Sequence, residues 1–290
     1  MQYIDTWNVP GRERAERLSV PVVMSEFNSV SCGGSDISDT VSPPGFSLLS
    51  TSTKKKQFVM SLWSADVGLK AASLNYAAVH LHTRESGIKY NLFDPPTSES
   101  STEPNWRTGS PYYGALFLSE IMSPNGSIVA DLNLNNSITN QFSKVAAYGV
   151  HNRNGTVSKL AVFNYASGEQ SFRILPGVAK KLYYRVLTAP SLQEKVEISW
   201  AGQTVRLNGQ LEGNQVTETV DCQDGCVLKA PGPAALLVAI DDAHKELFTG
   251  NSTITSIGSY SNDSLHSSPR FGFVSLLISS LIFLGLFFGF

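Results

Sequence analysis

Along the first 125 residues, apolar positions either recur every three to four residues or form short unbroken runs. The run from Val20 to Phe27, VPVVMSEF, is apolar and rich in β-branched residues, which predicts a buried strand. Residues 76–82, YAAVHLH, predict a second buried strand. Helical spacing occurs in residues 11–18, 57–75 and 112–122. The order helix, strand, helix, strand, helix is typical of a parallel sheet or a (β/α)8 barrel.

After residue 126 the pattern changes to short alternating runs that are separated by turn signals such as Asn154-Gly155, Asn208-Gly209 and Asp224-Gly225. Many short strands with such turns are typical of an antiparallel β-sandwich. The predicted runs are Ser127–Leu132, Val145–His151, Leu160–Asn164, Phe172–Leu175, Leu182–Leu187, Val196–Trp200, Val205–Leu207, Val216–Val220 and Ala234–Ile240.

The last 20 residues, Phe271–Phe290, carry no charge and would span about 30 Å as a helix, one bilayer core. A Ser-rich polar stretch precedes them, with small residues at 261–264, which matches a GPI-attachment signal. A retained single-pass helix is the alternative. We therefore predict four segments: part of an α/β domain in 1–125, a β-sandwich in 126–243, a stalk in 244–270 and an apolar tail in 271–290.

Composition limits the classes of partner and compartment. The chain has 290 residues and a formal net charge of −2, whereas a nucleic-acid partner requires a basic surface. Cys222 and Cys226 flank an Asp-Gly turn, which suits a small disulfide in an oxidising compartment. A metal site would need further Cys or His nearby in the sequence, and none is present there.

Glycosylation sequons point to the secretory route. Five sequons follow residue 120, at Asn125, Asn135, Asn154, Asn251 and Asn262. Together with the tail they predict a secreted glycoprotein at the cell surface. Residues 1–17, however, lack the apolar core of a signal peptide. We therefore expect the true amino terminus to lie upstream.

Glu26 is the first candidate for chemistry, because it ends the first predicted strand. In barrels, catalytic residues come from the carboxyl ends of strands. Alternation places Glu26 and Asn28 on one side of the strand. From spacing alone, a solvated strand-end glutamate is an equally good interpretation.

Four motifs together resemble a known enzyme family. They are Met24–Gly34, which contains E-F-N-S-V-S-C-G-G, then Ser61–Asp66, then His80-Leu81-His82 followed by Tyr90-Asn91-Leu92, and then Pro111-Tyr112-Tyr113. The chain is similar over residues 1–242 to glycoside hydrolase family 79, which holds fungal β-glucuronidases and has heparanases as relatives. The resemblance implies the carboxyl-terminal portion of a (β/α)8 barrel followed by the family's β-domain.

The resemblance implies that Glu26 is the nucleophile of a retaining β-glucuronidase, a hydrolase without a cofactor. It places Asn28, the loop residues Ser31, Cys32, Gly33 and Gly34, and also His82 and Tyr90 around the sugar, which would belong to a glucuronide or a glucuronic-acid-containing glycan. The loop glycines would let backbone amides approach the sugar carboxylate. Cys32 itself is expected to be a small buried residue.

The chain departs from the family pattern in one respect that affects activity. The family's acid/base is a Glu that follows an Asn, and the sequence contains no Asn-Glu dipeptide. Glu85 is the nearest substitute, and it is better explained as a loop charge. A complete barrel needs about 250 residues, twice the 125 available here. We expect this chain alone to have negligible hydrolase activity.

Other polar and aromatic residues near the motifs are expected to be structural. Trp63 should pack in the core, Asp66 should lie on a helix surface, and Tyr112 and Tyr113 should pack at a helix start. His80 and His82 share a strand face, but no third ligand is spaced to complete a metal site. We therefore expect no metal.

A second hypothesis needs no catalysis. In it, the chain is a cell-surface module whose β-sandwich binds glycans or supports another domain. A full-length form with a signal peptide and an Asn-Glu motif would favour the enzyme, whereas glycan binding by residues 126–243 would favour the module.

The nature of the tail can be measured directly. If residues 271–290 are a GPI signal, a phosphoinositide-specific phospholipase will release the native protein from membranes, because the lipid is its only attachment. Persistence in the membrane fraction after treatment would favour a retained helix.

Overall fold

The computed structural model describes most of the chain in eleven segments. These are residues 11–28, 58–84, 88, 90–94, 107–123, 126–134, 144–194, 196–206, 209–243, 275–278 and 284–287.

The three predicted helices are present. Residues 11–18 form α1, Phe58–Ser73 form α2, and Pro111–Ile121 form α3. A Schellman motif ends α2, with Asn75 in the left-handed region at φ 63°. The amide of Tyr76 donates to the Ala71 carbonyl over 3.1 Å, and that of Asn75 donates to the Ala72 carbonyl over 3.0 Å.

Helix α3 begins at a proline and ends at carbonyl groups that are bonded by a lysine side chain. Pro111 lies in its first turn, where a missing amide hydrogen costs nothing. At its other end, the ammonium group of Lys159 donates to the carbonyls of Glu120 and Ile121, each over 3.0 Å. A buried cation thus satisfies carbonyls that lack partners within the helix and complements its dipole.

Seventeen strands occur in the described residues, and all nine runs predicted after residue 126 overlap one of them. The sequence does not predict the strands at Phe93–Asp94, Arg107–Thr108, Leu211–Glu212, Cys226–Ala230, Ser275–Ile278 and Leu284–Phe287. The strands are β1 Val23–Phe27, β2 Ala78–Leu81, β3 Phe93–Asp94, β4 Arg107–Thr108, β5 Ile128–Asp131, β6 Val145–His151, β7 Val157–Asn164, β8 Gln170–Ile174, β9 Lys181–Thr188, β10 Ser199–Trp200, β11 Thr204–Val205, β12 Leu211–Glu212, β13 Glu218–Asp221, β14 Cys226–Ala230, β15 Ala234–Ile240, β16 Ser275–Ile278 and β17 Leu284–Phe287.

Strands β1 and β2 are parallel, and α2 lies between them in the chain. They belong to a four-stranded sheet in the order β1-β2-β17-β16. The last two strands lie inside the apolar tail, and β17 pairs antiparallel with β2. No helix within the described ranges is long and apolar enough to cross a membrane. The membrane anchor stays a prediction.

The main sheet is antiparallel, as predicted, in the order β10-β9-β15-β7-β6-β5, with β13 also paired to β9. Strand β15 lies between β7 and β9, and every one of its residues is buried. Its side chains alternate between two cores. Central position and burial on both faces explain its continuous apolar sequence, AALLVAI.

Two layers cover the two faces of this sheet. On one face, Ala235 and Leu237 of β15 belong to a core that also contains Leu62 of α2 and Phe117 of α3. On the other face, Leu236 and Val238 share a core with the β8–β14 pair. The structure is therefore helices, large sheet and small sheet, with the helices packed directly on the β-domain.

A polar network ties α3 to the sheet within this contact. Glu120 accepts hydrogen bonds from the indole nitrogen of Trp200 over 2.8 Å and from Arg185 over 2.5 Å. Arg185 also donates to Gln215 over 2.9 Å. Because Arg185 and Trp200 are buried and their polar groups are paired, the network fixes one orientation of α3 on the sheet.

Helices α2 and α3 approach closely at Gly114. A Cβ atom there would lie 2.4 Å from the Ser64 hydroxyl oxygen and 2.6 Å from the Ser61 carbonyl oxygen. The Ser61 hydroxyl also donates to the Ser110 carbonyl over 2.6 Å. Only glycine fits between the helices at this point.

We predict that Gly114→Ala lowers the free energy of unfolding by about 1–3 kcal/mol, because the added methyl group meets backbone. Alanine otherwise favours a helix interior by about 1 kcal/mol, so a loss is diagnostic of the clash. Urea unfolding measures the change. Gly168→Ala is the control, since its Cβ would meet nothing within 4 Å. An equal change in the free energy of unfolding for the two variants would contradict the prediction.

Candidate active site

The candidate site lies at the carboxyl ends of the parallel strands β1 and β2. Their register runs Met24 opposite Val79 and Phe27 opposite Leu81, so β1 has one extra residue between these pairs. This bulge includes Glu26. Bulges of this kind occur near active sites because they re-aim one side chain without ending the strand.

Three predicted site residues meet at this edge. The Glu26 Oε1 lies 3.5 Å from the His82 Nδ1. The Asn28 side-chain amide donates to the His82 carbonyl over 2.6 Å, and the His82 amide donates to the Phe27 carbonyl over 3.0 Å. The backbone after β2 is thus fastened to the end of β1, and the imidazole faces the carboxylate.

Exposure distinguishes the two partners of this contact. The Glu26 side chain is 67% exposed and that of His82 is 23% exposed. The carboxylate is therefore open to water and available to a substrate, while the imidazole is largely enclosed. A carboxylate in this position can act as a nucleophile or a base, and a histidine beside it can orient it.

Tyr90 joins this group from the loop that follows β2. Its side chain is buried, and its ring centroid lies 5.8 Å from that of His82 with the planes inclined at 45°. The adjacent Asn91, to which the sequence assigns no role, is also buried. Its side-chain oxygen accepts a hydrogen bond from the Arg84 amide, two residues after His82. The structure thus unites Glu26, Asn28, His82 and Tyr90.

The remaining predicted pocket residues lie outside the described residues. These are Ser31, Cys32, Gly33 and Gly34, and Glu85, which was predicted to be a loop charge, also lies outside them. Their proposed roles stay predictions. Within the described ranges, no group of three or more His, Cys, Asp or Glu side chains lies close enough to hold a metal ion.

Asp66 differs from the prediction that it lies on a helix surface. It is buried in the contact between α2 and the sheet, where it accepts hydrogen bonds from Tyr148 over 2.5 Å and from Tyr165 over 2.8 Å. Burial raises the pKa of Asp66 from 3.8 to about 6, although the two tyrosine bonds oppose the shift. The surface prediction was wrong because α2 is enclosed on nearly all sides.

Three aromatic residues that were expected to be structural pack as such. The Tyr113 hydroxyl donates to the Ile198 carbonyl over 3.0 Å and accepts from the Val205 amide over 2.7 Å. Tyr112 packs on Phe93 with centroids 4.9 Å apart. Trp63 is half-buried and packs on Phe27 at 5.7 Å, directly behind the candidate site.

The predicted disulfide is present between Cys222 and Cys226, and it closes the turn between β13 and β14. Among the sequons, Asn154 lies on the exposed β6–β7 turn, where it caps the Thr156 amide over 3.0 Å. An exposed turn is compatible with glycosylation. The other four sequons, at Asn125, Asn135, Asn251 and Asn262, lie outside the described residues.

Comparison with known protein families identifies the β-domain. Residues 147–237 match the family model described as glycosyl hydrolase family 79 C-terminal beta domain. This segment is similar to the C-terminal β-domain of glycoside hydrolase family 79. The match confirms the family resemblance of the sequence and includes β7, β9 and the first four residues of β15.

A solved structure shares the fold over a larger part of the chain. It is a 4-O-α-L-rhamnosyl-β-D-glucuronidase from Fusarium oxysporum 12S in complex with Rha-GlcA. The TM-score is 0.60 at 20% identity, and the match covers 77% of this chain and 44% of that enzyme. At this identity the likeness establishes fold alone. The match spans less than half of the fungal enzyme's length.

A second solved structure is more distant. It is the GH51 α-L-arabinofuranosidase from Thermotoga petrophila RKU-1, with a TM-score of 0.48, 10% identity, and coverage of 78% of this chain and 44% of that enzyme. A score this low supports no argument. The sequence matches no curated protein significantly.

The raised pKa of Asp66 predicts a pH-dependent stability. Because the folded pKa is about 6 and the ordinary value is 3.8, the stabilising contribution of protonated Asp66 is complete below about pH 4 and is lost as pH rises through about 6. The loss amounts to about 3 kcal/mol. Asp66→Asn should abolish this dependence and still pair with both tyrosine hydroxyls.

Urea unfolding between pH 4 and pH 7 measures the effect as the difference between wild type and Asp66→Asn. The exposed Asp224 provides the matched control, because Asp224→Asn should leave the wild-type profile unchanged. Parallel profiles for the wild type and Asp66→Asn would contradict the assignment.

Proposed function

We propose that this chain is the carboxyl-terminal part of a retaining β-glucuronidase-type glycoside hydrolase and that Glu26 is its nucleophile. The observation that carries the proposal is the grouping of Glu26, Asn28, His82 and Tyr90 at the carboxyl ends of two parallel strands. Barrel enzymes keep their catalytic groups at this end of the strands.

The surrounding architecture supports the same proposal. Strands β1 and β2 would be the last two barrel strands, with α2 between them and α3 after them. Residues 1–125 would then be a barrel portion, and residues 126–243 the β-domain that packs on its helices. The likeness to the rhamnosyl-glucuronidase supports this division, since it extends well beyond residues 147–237.

Glu26 suits the role of nucleophile chemically. Its carboxylate would attack the anomeric carbon of the glycoside, the bond to the leaving oxygen would break, and water would later hydrolyse the glycosyl ester. His82 Nδ1, 3.5 Å from Oε1, would hold the carboxylate in one orientation. The amide of Asn28 keeps His82 in place through its backbone carbonyl.

The second carboxyl of the pair would come from another part of the barrel. A retaining mechanism needs an acid/base about 5–5.5 Å from the nucleophile, and the sequence has no Asn-Glu dipeptide of the family's type. This chain alone would therefore be inactive as a hydrolase.

A glucuronic-acid-containing substrate is the proposed class. The fungal enzyme that shares the fold is named for a rhamnosylated β-D-glucuronide. In this chain, the Ser31–Gly34 loop would contact the sugar carboxylate through its amides. We also propose that the protein is extracellular and membrane-anchored, on the basis of its sequons and apolar tail, with residues 271–290 serving either as a GPI-attachment signal or as a retained helix.

Mechanism-based labelling tests the nucleophile. The native protein, taken from its own cells, is treated with 2-deoxy-2-fluoro-β-glucuronyl fluoride, whose leaving group departs without acid assistance. We expect a glycosyl ester on the tryptic peptide Leu18–Lys54, localised to Glu26 by fragmentation.

In recombinant full-length protein, Glu26→Gln should abolish the label, whereas Glu16→Gln on the exposed face of α1 should leave it unchanged. A label on a different carboxylate would refute the assignment of Glu26. Complete absence of label from the folded full-length protein would refute the retaining mechanism.

A further inference from the structure

Asn91 is a buried amide in the loop that follows β2, and three hydrogen bonds from its side chain reach the same two residues. Its Oδ1 accepts from the Thr83 hydroxyl over 2.9 Å and from the Arg84 amide over 2.8 Å. Its Nδ2 donates to the Arg84 carbonyl over 3.1 Å. Since a buried amide is costly unless paired, these bonds hold Asn91 against Thr83 and Arg84.

The positions of these bonds relate directly to the candidate site. Thr83 directly follows His82, and Asn91 directly follows Tyr90. The side chain of Asn91 therefore joins the two chain segments one residue beyond each site ring. This tie brings the ends of the loop together and sets the two rings 5.8 Å apart.

The backbone of Asn91 is itself held on a rigid support. The Gly109 amide donates to the Leu92 carbonyl over 2.8 Å. A Cβ atom at Gly109 would lie only 1.8 Å from the Asn91 carbonyl oxygen, so the two segments are in close backbone contact. Leu92 packs with Leu81 and Ala115 in a small core. A functional side chain is positioned accurately when its support is this constrained.

We propose that Asn91 is a positioning residue that sets the relative placement of His82 and Tyr90, and through them the glucuronide subsite next to Glu26. Its role in substrate binding rests on the proposed function, whereas its control of the two rings does not. Loss of the Asn91 amide would release the loop end that carries Tyr90 from the strand end that carries His82.

The chain contains a matched control for this role. Asn164 is fully buried at the end of β7, and its Nδ2 donates to the carbonyls of Gly168 over 2.9 Å, Ala230 over 3.1 Å and Pro231 over 2.9 Å. Its Oδ1 accepts from the Ala166 amide over 2.8 Å. Asn164 thus fastens loops with the same chemistry in the β-domain, so its loss should reduce stability without altering the site.

The first measurement needs no catalysis. Full-length protein with ¹³C-labelled histidine is compared by NMR among the wild type, Asn91→Ala, Asn164→Ala and Thr83→Val, with His82→Gln to assign the signals. In Asn91→Ala, the His82 ring signals should leave their wild-type positions, because the Tyr90 ring and Glu26 no longer face the imidazole as before. Thr83→Val removes one bond and should cause a smaller change in the same direction.

Asn164→Ala should leave the His82 signals unchanged while lowering the melting temperature by an amount similar to Asn91→Ala. If Asn91→Ala does not fold, Thr83→Val carries the test. His82 signals that stay at their wild-type positions in the folded Asn91 or Thr83 variant would overturn the proposal. An equal displacement of the His82 signals in Asn164→Ala would also overturn the proposal.

The second measurement uses a chromogenic β-glucuronide with the same full-length proteins. Asn91→Ala should raise KM about tenfold or more, with a smaller effect on kcat, because a displaced binding wall weakens substrate positioning. Displaced His82 signals with an unchanged KM would overturn the role in the subsite. Failure of Glu26 to become labelled would overturn the proposed function alone and would leave the ring placement intact.

Discussion

The burial of one face of the antiparallel sheet beneath α2 and α3 is the contact on which the rest of the structure depends. Phe117 of α3 lies against Phe163 and Trp200 of the sheet, with ring centroids 5.5 and 5.6 Å away. Such a contact is non-directional, so apolar burial alone would allow the helices to slide. The paired polar groups around Asp66 and Glu120 remove that freedom, because any shift would leave buried polar atoms without partners. The β-domain therefore serves as the base on which the helices are oriented.

The orientation of α2 determines where the candidate site lies. The helix ends at the Asn75 cap, the chain turns there, and β2 begins three residues later. Strand β2 then places His82 beside β1, where the bulge in β1 turns Glu26 toward it. Each of these steps is short and geometrically restricted. The position of α2 on the sheet therefore determines the position of the Glu26 carboxylate.

The elements that sequence predicted well are those in which one local pattern dominates. The apolar run of β15 and the alternation of β6 specify strands with few alternatives, and their observed bounds agree with the prediction. Strand β14 is harder to predict, because its alternation of Val227 and Lys229 outward with Leu228 and Ala230 inward spans only four residues after the cysteine-bounded turn. For the candidate site, strand alternation placed Glu26 and Asn28 on one side of β1, whereas the family resemblance implied that His82 joins them. Asn91 did not follow, since its partners depend on a loop conformation that no periodicity encodes.

The place of β15 in the sheet has a consequence for synthesis on the ribosome. It is the last strand of the β-domain to be translated, yet it pairs with both β7 and β9 at the centre of the sheet. Until residue 240 has left the exit tunnel, these two strands have no shared neighbour, and each presents an open apolar edge. The nascent domain must therefore remain incomplete for most of its translation, and it closes in a late step. Until the final strand arrives, the unpaired edges of β7 and β9 are therefore open to non-native pairing.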